Sequence, residues 1–327
     1  MQSLSHAEVK AAVERVADVI RPVTVARAEP GTADAPDRPD LFLALEFLQH
    51  TGSFKARGAT NFLRAHAEAG TLPPAGVTIA SGGNAGLACA WAARRQGVRA
   101  TVFLPETAPR VKVERLRGYG AEVRLAGAEY AEALAACEEF AAHSGALASH
   151  AYDHPLIAAG AGTLLEELRE RVPGLGTVVV SVGGGGLFAG VAAAAREHGI
   201  RVVAVEPENC RALDAALVAG APVDVTVDSV AADSLGARRV SAAALAAARH
   251  PDVRTLLVPD TAIVAARRAL WQSHRLAVEH AAATALAALA PAPAGSGSGE
   301  PGYRPEPGEK VCVVLCGANT DPGDLVD

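Results

Sequence analysis

The sequence predicts an α/β protein in which parallel sheets are flanked by helices, and three observations lead to this fold class. Short Val-rich runs alternate with Ala-rich stretches of helical length along most of the chain. The runs are apolar at successive positions, as in VVVSV at residues 178–182, which is typical of strands buried on both faces. At roughly 150 residues per domain, the 327 residues indicate two domains. This combination favours twisted parallel sheets with a helix after each strand.

The elements follow in chain order. Charged residues interrupt the first 23 positions every few residues, which predicts an amphipathic helix rather than a signal peptide. From residue 77 onward, apolar runs predict strands at 77–80, 100–104, 122–125, 146–148, 177–182, 202–205, 255–258 and 311–315. Ala-rich stretches predict helices at 85–96, 110–119, 128–143, 154–171, 187–198, 260–275 and 279–289. Residues 291–309 are rich in Pro, Gly and Ser and predict a surface loop, because the last strand must return to its sheet.

Composition argues against several kinds of partner and location. Lys and Arg number 30 against 36 Asp and Glu, and aromatic residues are only 4%, so the chain lacks the surface of a nucleic-acid binder. No apolar stretch reaches the roughly 18 residues of a membrane span. The five cysteines include no CxxC pair, and Cys312 and Cys316 would lie roughly 13 Å apart on one strand, too far for a disulfide. We therefore expect reduced thiols, no zinc site made of cysteines, and a cytoplasmic protein.

A lysine stands among small and apolar neighbours in TGSFKARGA, residues 51–59. If Lys55 lies in a poorly solvated site, its pKa is lowered and its amine becomes a usable nucleophile and base. The alternative is an ordinary solvated surface charge.

Two glycine-rich segments each follow a predicted strand and precede a helix. SGGNAG at residues 81–86 predicts free backbone N–H groups facing an anion such as a carboxylate, or simply a capped turn. GGGG at residues 183–186 is costly in chain entropy and predicts a phosphate cradle at a helix N-terminus. A dinucleotide fingerprint would need glycine at position 188, where the chain has Phe188, although Glu206 does mimic the ribose-binding acid.

Two further segments carry reactive side chains. Cys316 ends the last strand, at the edge of the sheet where α/β proteins bind ligands, but it is equally a small buried residue. SHAYDHP, residues 149–155, contains His150, Asp153 and His154. This segment predicts a loop with an Asp-capped helix start, and a metal site is the alternative.

In this order, the motifs SFKARGA, SGGNAG, GGGGL and CGAN resemble the pyridoxal-phosphate (PLP) enzymes of fold type II, the tryptophan synthase β-like fold. Within that group the chain is most similar to the serine/threonine dehydratases, which are ammonia-lyases, over residues 23–319.

The resemblance implies that Lys55 binds PLP covalently and acts as the base at the substrate Cα. Phe54 would pack beside the cofactor ring, Asn84 would bind the ring hydroxyl oxygen, and Cys316 would meet the pyridine nitrogen. The cofactor phosphate would be bound by Gly183, Gly184, Gly185 and Gly186, and the substrate carboxylate by Ser81, Gly82, Gly83, Asn84 and Ala85.

The resemblance also implies the reaction, which is β-elimination of L-threonine or L-serine to a 2-oxo acid and ammonia. A related racemase has Ser at the position of Gly82, and glycine cannot act as the second base. The family's metal site uses an acid matching Glu206 and a second acid six residues on, where this chain has Ala212, so no metal is expected. Alternatives are a lyase acting on hydroxyaspartate, a racemase, a nicotinamide-dependent dehydrogenase and a non-catalytic PLP-binding protein.

Domain organisation follows from the same likeness. Residues 75–150 are expected to form a small substrate-loop domain, and residues 1–74 and 151–327 a large PLP-binding domain. The resemblance further implies a homodimer with a small-molecule amino-acid substrate and no nucleic-acid or membrane partner. A regulatory domain is not expected after the Cys316 strand.

Overall fold

The computed structural model describes residues 3–28, 39–290 and 302–325. The strands are β1 Val25–Arg27, β2 Asp40–Ala44, β3 Val77–Ala80, β4 Ala100–Leu104, β5 Glu122–Leu125, β6 Leu147–Ala148, β7 Thr177–Ser181, β8 Arg201–Pro207, β9 Val253–Val258 and β10 Lys310–Val314. The helices are α1 His6–Val16, α2 Lys55–Glu68, α3 Asn84–Arg95, α4 Arg110–Gly118, α5 Tyr130–Ser144, α6 Pro155–Arg171, α7 Gly186–Glu197, α8 Ala212–Ala219, α9 Ala232–Leu235, α10 Ala242–Ala248, α11 Asp260–His274 and α12 His280–Ala287.

The strands form two sheets. The larger has the order β1-β2-β10-β7-β8-β9, and all its neighbours are parallel except the antiparallel pair β1 and β2. The smaller has the order β5-β4-β3-β6 and is parallel throughout. Every residue of β3, β4 and β7 is buried, as expected of parallel strands with helices on both faces. The predicted fold class is confirmed.

Each sheet has its own hydrophobic core, and the N-terminal helices join the smaller one. Phe62 and Leu63 of α2 are buried in the same cluster as Ile79 of β3 and Val102 of β4, together with the end of α1. The other face of α2 packs on α6, which belongs to the core of the larger sheet. Helix α2 therefore lies between the two sheets, and this places its first residue, Lys55, at their junction.

A buried ion pair fixes that position. The side chain of Arg57 is fully buried, and its Nε and Nη2 each donate to one oxygen of Glu46 at 2.8 Å. Its Nη1 donates to Glu167 at 2.5 Å and to Thr163 at 3.1 Å, both on α6. Burial opposes the charge of Arg57, but Glu46 and Glu167 together raise its pKa above the ordinary value. The guanidinium therefore stays charged and ties α2 to α6 two residues after Lys55.

The predicted strands and helices from residue 77 onward are all present, with ends that differ by at most two residues. The N-terminal helix is shorter than predicted and ends at Val16. Strands β1 and β2 and helices α2, α8, α9 and α10 are not among the predicted elements. Residues 302–309 form neither helix nor strand, and the rest of the predicted loop, 291–301, lies outside the described residues. No helix in the described parts of the chain is long and apolar enough to cross a membrane.

One predicted local detail is wrong. The N-cap of α6 is His154 and not Asp153, because the Nδ1 of His154 accepts a hydrogen bond from the backbone N–H of Leu156 at 3.1 Å. The following residue, Pro155, occupies the first helical position, where its missing N–H costs nothing.

Candidate active site

Lys55 is the first residue of α2 and is held against the end of the central strand β10. The backbone N–H of Phe54 donates to the carbonyl of Cys316 at 3.0 Å, and Ser53 forms a bridge with Gly317. The N–H of Ala318 donates to the carbonyl of Gly52 at 3.0 Å. The SFK and CGAN motifs, which are far apart in sequence, are therefore neighbours at the carboxyl edge of the large sheet.

The environment of Lys55 makes its amine a base. Its Nζ donates to the carbonyl of Ala151 at 3.0 Å and lies 4.7 Å from the centre of the Phe54 ring. Burial lowers the pKa of Lys55 to about 8, and the negative charge of the nearby Glu279 opposes this shift. An unperturbed lysine has a pKa of about 10.4, so a far larger fraction of Lys55 is neutral at physiological pH. The amine is thus a competent nucleophile, as the sequence predicts.

The loop at 183–186 presents unpaired backbone donors at the start of α7. In the described part of the chain, the N–H groups of Gly183, Gly184 and Gly185 donate to no backbone carbonyl. Gly185 has φ +89° in the left-handed region, and a Cβ there would lie 2.3 Å from the Cβ of Ala244. Glycine is required at this position, and three free N–H groups at a helix N-terminus suit a phosphate.

The loop at 81–85 also presents unpaired backbone N–H donors, here at the start of α3. Gly83 is the N-cap, and nothing lies within 4 Å of where its Cβ would be, so the loop faces open space. The N–H groups of Ser81, Gly82 and Gly83 make no backbone hydrogen bond with any described residue. An open helix N-terminus with free donors fits the predicted carboxylate-binding role.

Gly83 in this loop and Gly86 in the first turn of α3 should respond differently to substitution. A Cβ on Gly86 would lie 1.8 Å from the carbonyl oxygen of Ser81, so Gly86→Ala is expected to displace the loop backbone and lower the free energy of unfolding by ~3 kcal/mol, the upper range for overpacking. Gly83→Ala is the matched control, because its Cβ meets open space, and we expect it to fold normally. Thermal unfolding of both variants checks this, and equal melting temperatures would contradict the geometry.

Asn84 is part of a polar network around a buried carboxylate. Its Nδ2 donates to both oxygens of Glu279, at 2.9 and 3.0 Å, and its Oδ1 accepts from the Nδ2 of Asn319 at 2.6 Å. Glu279 also accepts from the Oγ of Ser234 at 2.7 Å and from the backbone N–H of Asn319 at 2.8 Å. The network fixes the orientation of the Asn84 amide beside the Lys55 site. Its role toward the ring hydroxyl stays a prediction.

Cys316 offers an uncharged partner at the end of β10. Burial raises the pKa of its thiol to about 12, so the group remains protonated at physiological pH. Its Sγ lies 3.6 Å from the Oγ of Ser181, the last residue of β7. Within the described chain all five cysteines are free and buried.

The negative charge of Glu279 should affect the pH at which Lys55 loses its proton. Reaction of PLP with the apoenzyme needs the neutral amine, so its rate should rise with pH to a midpoint near 8. Glu279→Gln removes a negative charge that favours the protonated amine, so the midpoint should move to lower pH. The rate of PLP uptake against pH checks the shift, and Glu14→Gln, an exposed position on α1, is the control. A midpoint that moves upward or stays fixed in Glu279→Gln would contradict this electrostatic assignment.

One small cavity brings the motifs together. Its wall includes Phe54 and Lys55 from the first motif, Ala85 from the second and Gly186 from the third. His150 lines the same cavity. Three segments that are far apart in sequence thus surround a single space next to the Lys55 amine.

Sequence reasoning missed His150 and Glu279 as site residues. The Nδ1 of His150 accepts backbone hydrogen bonds from Tyr152 at 3.2 Å and Asp153 at 2.8 Å, and burial lowers the pKa of its imidazole. Nδ1 is therefore an acceptor and Nε2 carries the proton of the neutral ring. The sequence offered His150 only as an alternative metal ligand in SHAYDHP, and Glu279 only as an acid at the start of an Ala-rich helix.

The candidate metal ligand Glu206 instead caps the start of a helix. The two oxygens of Glu206 accept from the backbone N–H groups of Leu213 and Asp214 at 2.8 and 2.9 Å, and burial raises the pKa of this carboxyl to about 8. His150, Asp153 and His154 do not form a three-ligand cluster among the described residues. The absence of a metal from the active site stays a prediction.

The groups around the Lys55 site fit PLP. An amine that can be neutral suits the aldehyde of PLP, and a row of free N–H groups on glycines suits its phosphate. An uncharged thiol suits its pyridine nitrogen. Lys55, Gly183 to Gly186 and Cys316 would hold these three parts.

Comparison with known proteins agrees with this arrangement. A family model described as pyridoxal-phosphate dependent enzyme matches residues 16–317. The chain is 37% identical to the human protein named serine dehydratase-like, over 85% of each chain. Maize serine racemase superposes with a TM-score of 0.85 at 30% identity, covering 99% of this chain and 96% of that one. The threonine deaminase from T.th. superposes with a TM-score of 0.82 at 30% identity, covering 97% and 99%. The chain therefore belongs to the pyridoxal-phosphate dependent enzyme family, and its cofactor is pyridoxal 5'-phosphate.

Proposed function

We propose that this enzyme eliminates the β-hydroxyl of L-serine or L-threonine and releases ammonia and a 2-oxo acid. The observation that carries the proposal is the single cavity lined by Lys55, by Ala85 at the end of the loop at 81–85 and by Gly186 at the end of the glycine cradle at 183–186. The names of the relatives, a serine dehydratase-like protein and a threonine deaminase among them, support the same substrate class.

The residues divide the work between binding and proton transfer. When bound, PLP supplies a ring that withdraws electrons from the substrate Cα. Lys55 is positioned to hold the cofactor and then to take the Cα proton onto Nζ, for which a pKa near 8 is well matched. The backbone N–H groups of the loop at 81–85 would bind the substrate carboxylate and thereby orient the Cα–H bond. The β-hydroxyl leaves as water, and the released enamine is hydrolysed by water to the 2-oxo acid and ammonia.

The neutral thiol of Cys316 favours elimination over transamination. A thiol with a pKa of about 12 cannot hold a pyridine nitrogen protonated as a carboxylate does. A cofactor ring paired with this thiol would be a weaker electron sink, so prolonged negative charge at Cα would be disfavoured. Loss of the β-hydroxyl relieves this charge at once, because the leaving group takes the electron pair.

Racemisation needs a second acid or base on the opposite face of the Cα, and this is where the chain differs from the racemases it resembles in fold. Position 82 is glycine, and a Cβ there would already lie 2.9 Å from the Cδ2 of Leu104. The described loop thus supplies no side chain for this role at that position. We infer a lyase rather than a racemase.

We also infer that the enzyme is a cytoplasmic homodimer with a small domain at 75–150. The confinement of β3, β4, β5 and β6 to one separate sheet supports this division of the chain. Sedimentation of the purified protein tests the dimer.

A substrate panel tests the activity. Release of 2-oxo acid is measured from L-threonine, L-serine and L-threo-3-hydroxyaspartate, with chiral analysis of the remaining substrate. We expect turnover of L-threonine or L-serine without formation of the D-amino acid. Turnover of hydroxyaspartate alone, or accumulation of D-serine, would overturn the assignment, and a PLP-loaded protein inert with every substrate would reject the lyase function itself.

A further inference from the structure

Two histidines and a glutamate from three helices meet away from the active-site cavity. His6 is the first residue of α1, Glu166 lies within α6, and His198 directly follows α7. The Nε2 of His6 lies 2.8 Å from Oε1 of Glu166, and the Nε2 of His198 lies 3.1 Å from the same oxygen. In the described ranges this is the only group of three such side chains whose ligand atoms converge, all within 4.8 Å of one another.

The distances match those of a metal centre. With metal–ligand bonds of about 2.0–2.1 Å, tetrahedral coordination puts neighbouring ligand atoms roughly 3.3 Å apart and the centres of two imidazole rings roughly 5 Å apart. The ring centres of His6 and His198 are 5.1 Å apart, with their planes at 87°. The rings therefore present their Nε2 atoms to one point without stacking on each other, and small side-chain shifts would admit an ion.

The side chain of Glu166 is held in an orientation suited to binding a metal ion. Its Oε1 lies within hydrogen-bond distance of both histidines and therefore faces the centre of the cluster. Arg169 donates to Oε2 at 3.0 Å, which orients the carboxylate and leaves Oε1 to the histidines. Such an outer partner commonly fixes a metal-binding carboxylate.

The ligand types identify the class of ion. Imidazole nitrogen suits Zn²⁺, Ni²⁺ and Cu²⁺, whereas Mg²⁺ and Ca²⁺ prefer all-oxygen sites. Two His and one carboxylate, with a water as fourth ligand, is a common set for zinc. The three side chains are 17–20% exposed, so solvent can reach the fourth position.

We propose that His6, Glu166 and His198 bind one Zn²⁺ that clamps the N-terminus of α1 onto α6 and α7. Helix α1 packs on both of these helices, and its Val9 and Ala12 are fully buried. Zinc would therefore stabilise the docking of α1 without contacting the active site. In the absence of zinc the same side chains form hydrogen bonds and ion pairs with one another. The experiment therefore has to distinguish a zinc site from an ion-pair cluster.

Zinc binding is measured on the PLP-loaded enzyme after treatment with a chelator, by competition with a chromophoric chelator. We expect one Zn²⁺ per chain for the wild type, and an affinity lower by ~100-fold or more in His6→Ala and in His198→Ala. His143→Ala is the matched control, because His143 also lies near a helix C-terminus, and its Nδ1 lies 2.9 Å from the carbonyl oxygen of Glu139 in its own helix. Equal zinc affinity in the wild type and both cluster variants would overturn the proposal.

Two further measurements use only the wild-type protein and do not depend on its enzymatic activity. Co²⁺ added to the wild type should give the intense visible bands of a tetrahedral site, and an aqua-ion spectrum would count against the proposal. Zn²⁺ should also raise the melting temperature of the wild type in a concentration-dependent way, as any ligand of the native state does. A melting temperature insensitive to Zn²⁺ would show that the three residues form only an ion-pair cluster.

Discussion

Lys55→Ala is expected to lower 2-oxo acid release by at least ~10⁴-fold, because it removes both the group that holds the cofactor and the base at the substrate Cα. We propose both tasks for the Lys55 amine, which lies at the start of α2 and has a pKa lowered to about 8 by burial. The variant should also bind PLP reversibly, so that its absorbance is lost on gel filtration.

The control for this variant is Lys10→Ala, since Lys10 is exposed on α1. We expect it to retain wild-type turnover and cofactor. Lys55→Ala should unfold at nearly the same temperature as the wild-type apoenzyme, which separates lost chemistry from lost structure. Substantial residual turnover in Lys55→Ala would mean that another residue takes the Cα proton.

Arg57→Met is expected to lower the free energy of unfolding by about 3–5 kcal/mol, the usual cost of breaking a buried ion pair from one side. Without the guanidinium, Glu46 is left 1% exposed with no partner for its charge. At roughly 2–4 °C per kcal/mol for a chain of this size, the melting temperature should fall by about 10 °C. Differential scanning calorimetry of the apoenzyme measures this loss.

Two companion variants test the mechanism of that loss. Glu46→Gln combined with Arg57→Met removes the stranded charge, so the double variant should recover part of the stability. Arg110→Ala breaks an ion pair in which the arginine is 92% exposed, and we expect little or no change. A double variant less stable than Arg57→Met would show that the buried pair is not the source of the effect.

The parallel α/β architecture could be predicted from the sequence because its signals are local. A fully buried strand such as β7 must be apolar at nearly every position, and four consecutive glycines are costly unless the backbone needs them. The lysine and both glycine loops were recognisable for the same reason. Strand β1 went unpredicted because it has only three residues, none of them buried, whereas β2 went unpredicted although Leu41–Ala44 is a continuous apolar run. Helix α2 went unpredicted since its first turns contain Gly58, Thr60 and Asn61, which have low helix propensity.

The partners of these motifs depend on tertiary packing. Glu279 lies 195 positions from Asn84, and His6 lies 160 positions from Glu166, yet each pair is within hydrogen-bond distance. Such contacts depend on how sheets and helices pack, and no short-range pattern encodes them. Local residue patterns were enough to mark the segments that bear chemistry. The packing of α2 between the two sheets is what removes Lys55 from solvent and places Glu279 and His150 around the site, because burial and proximity are properties of the folded chain.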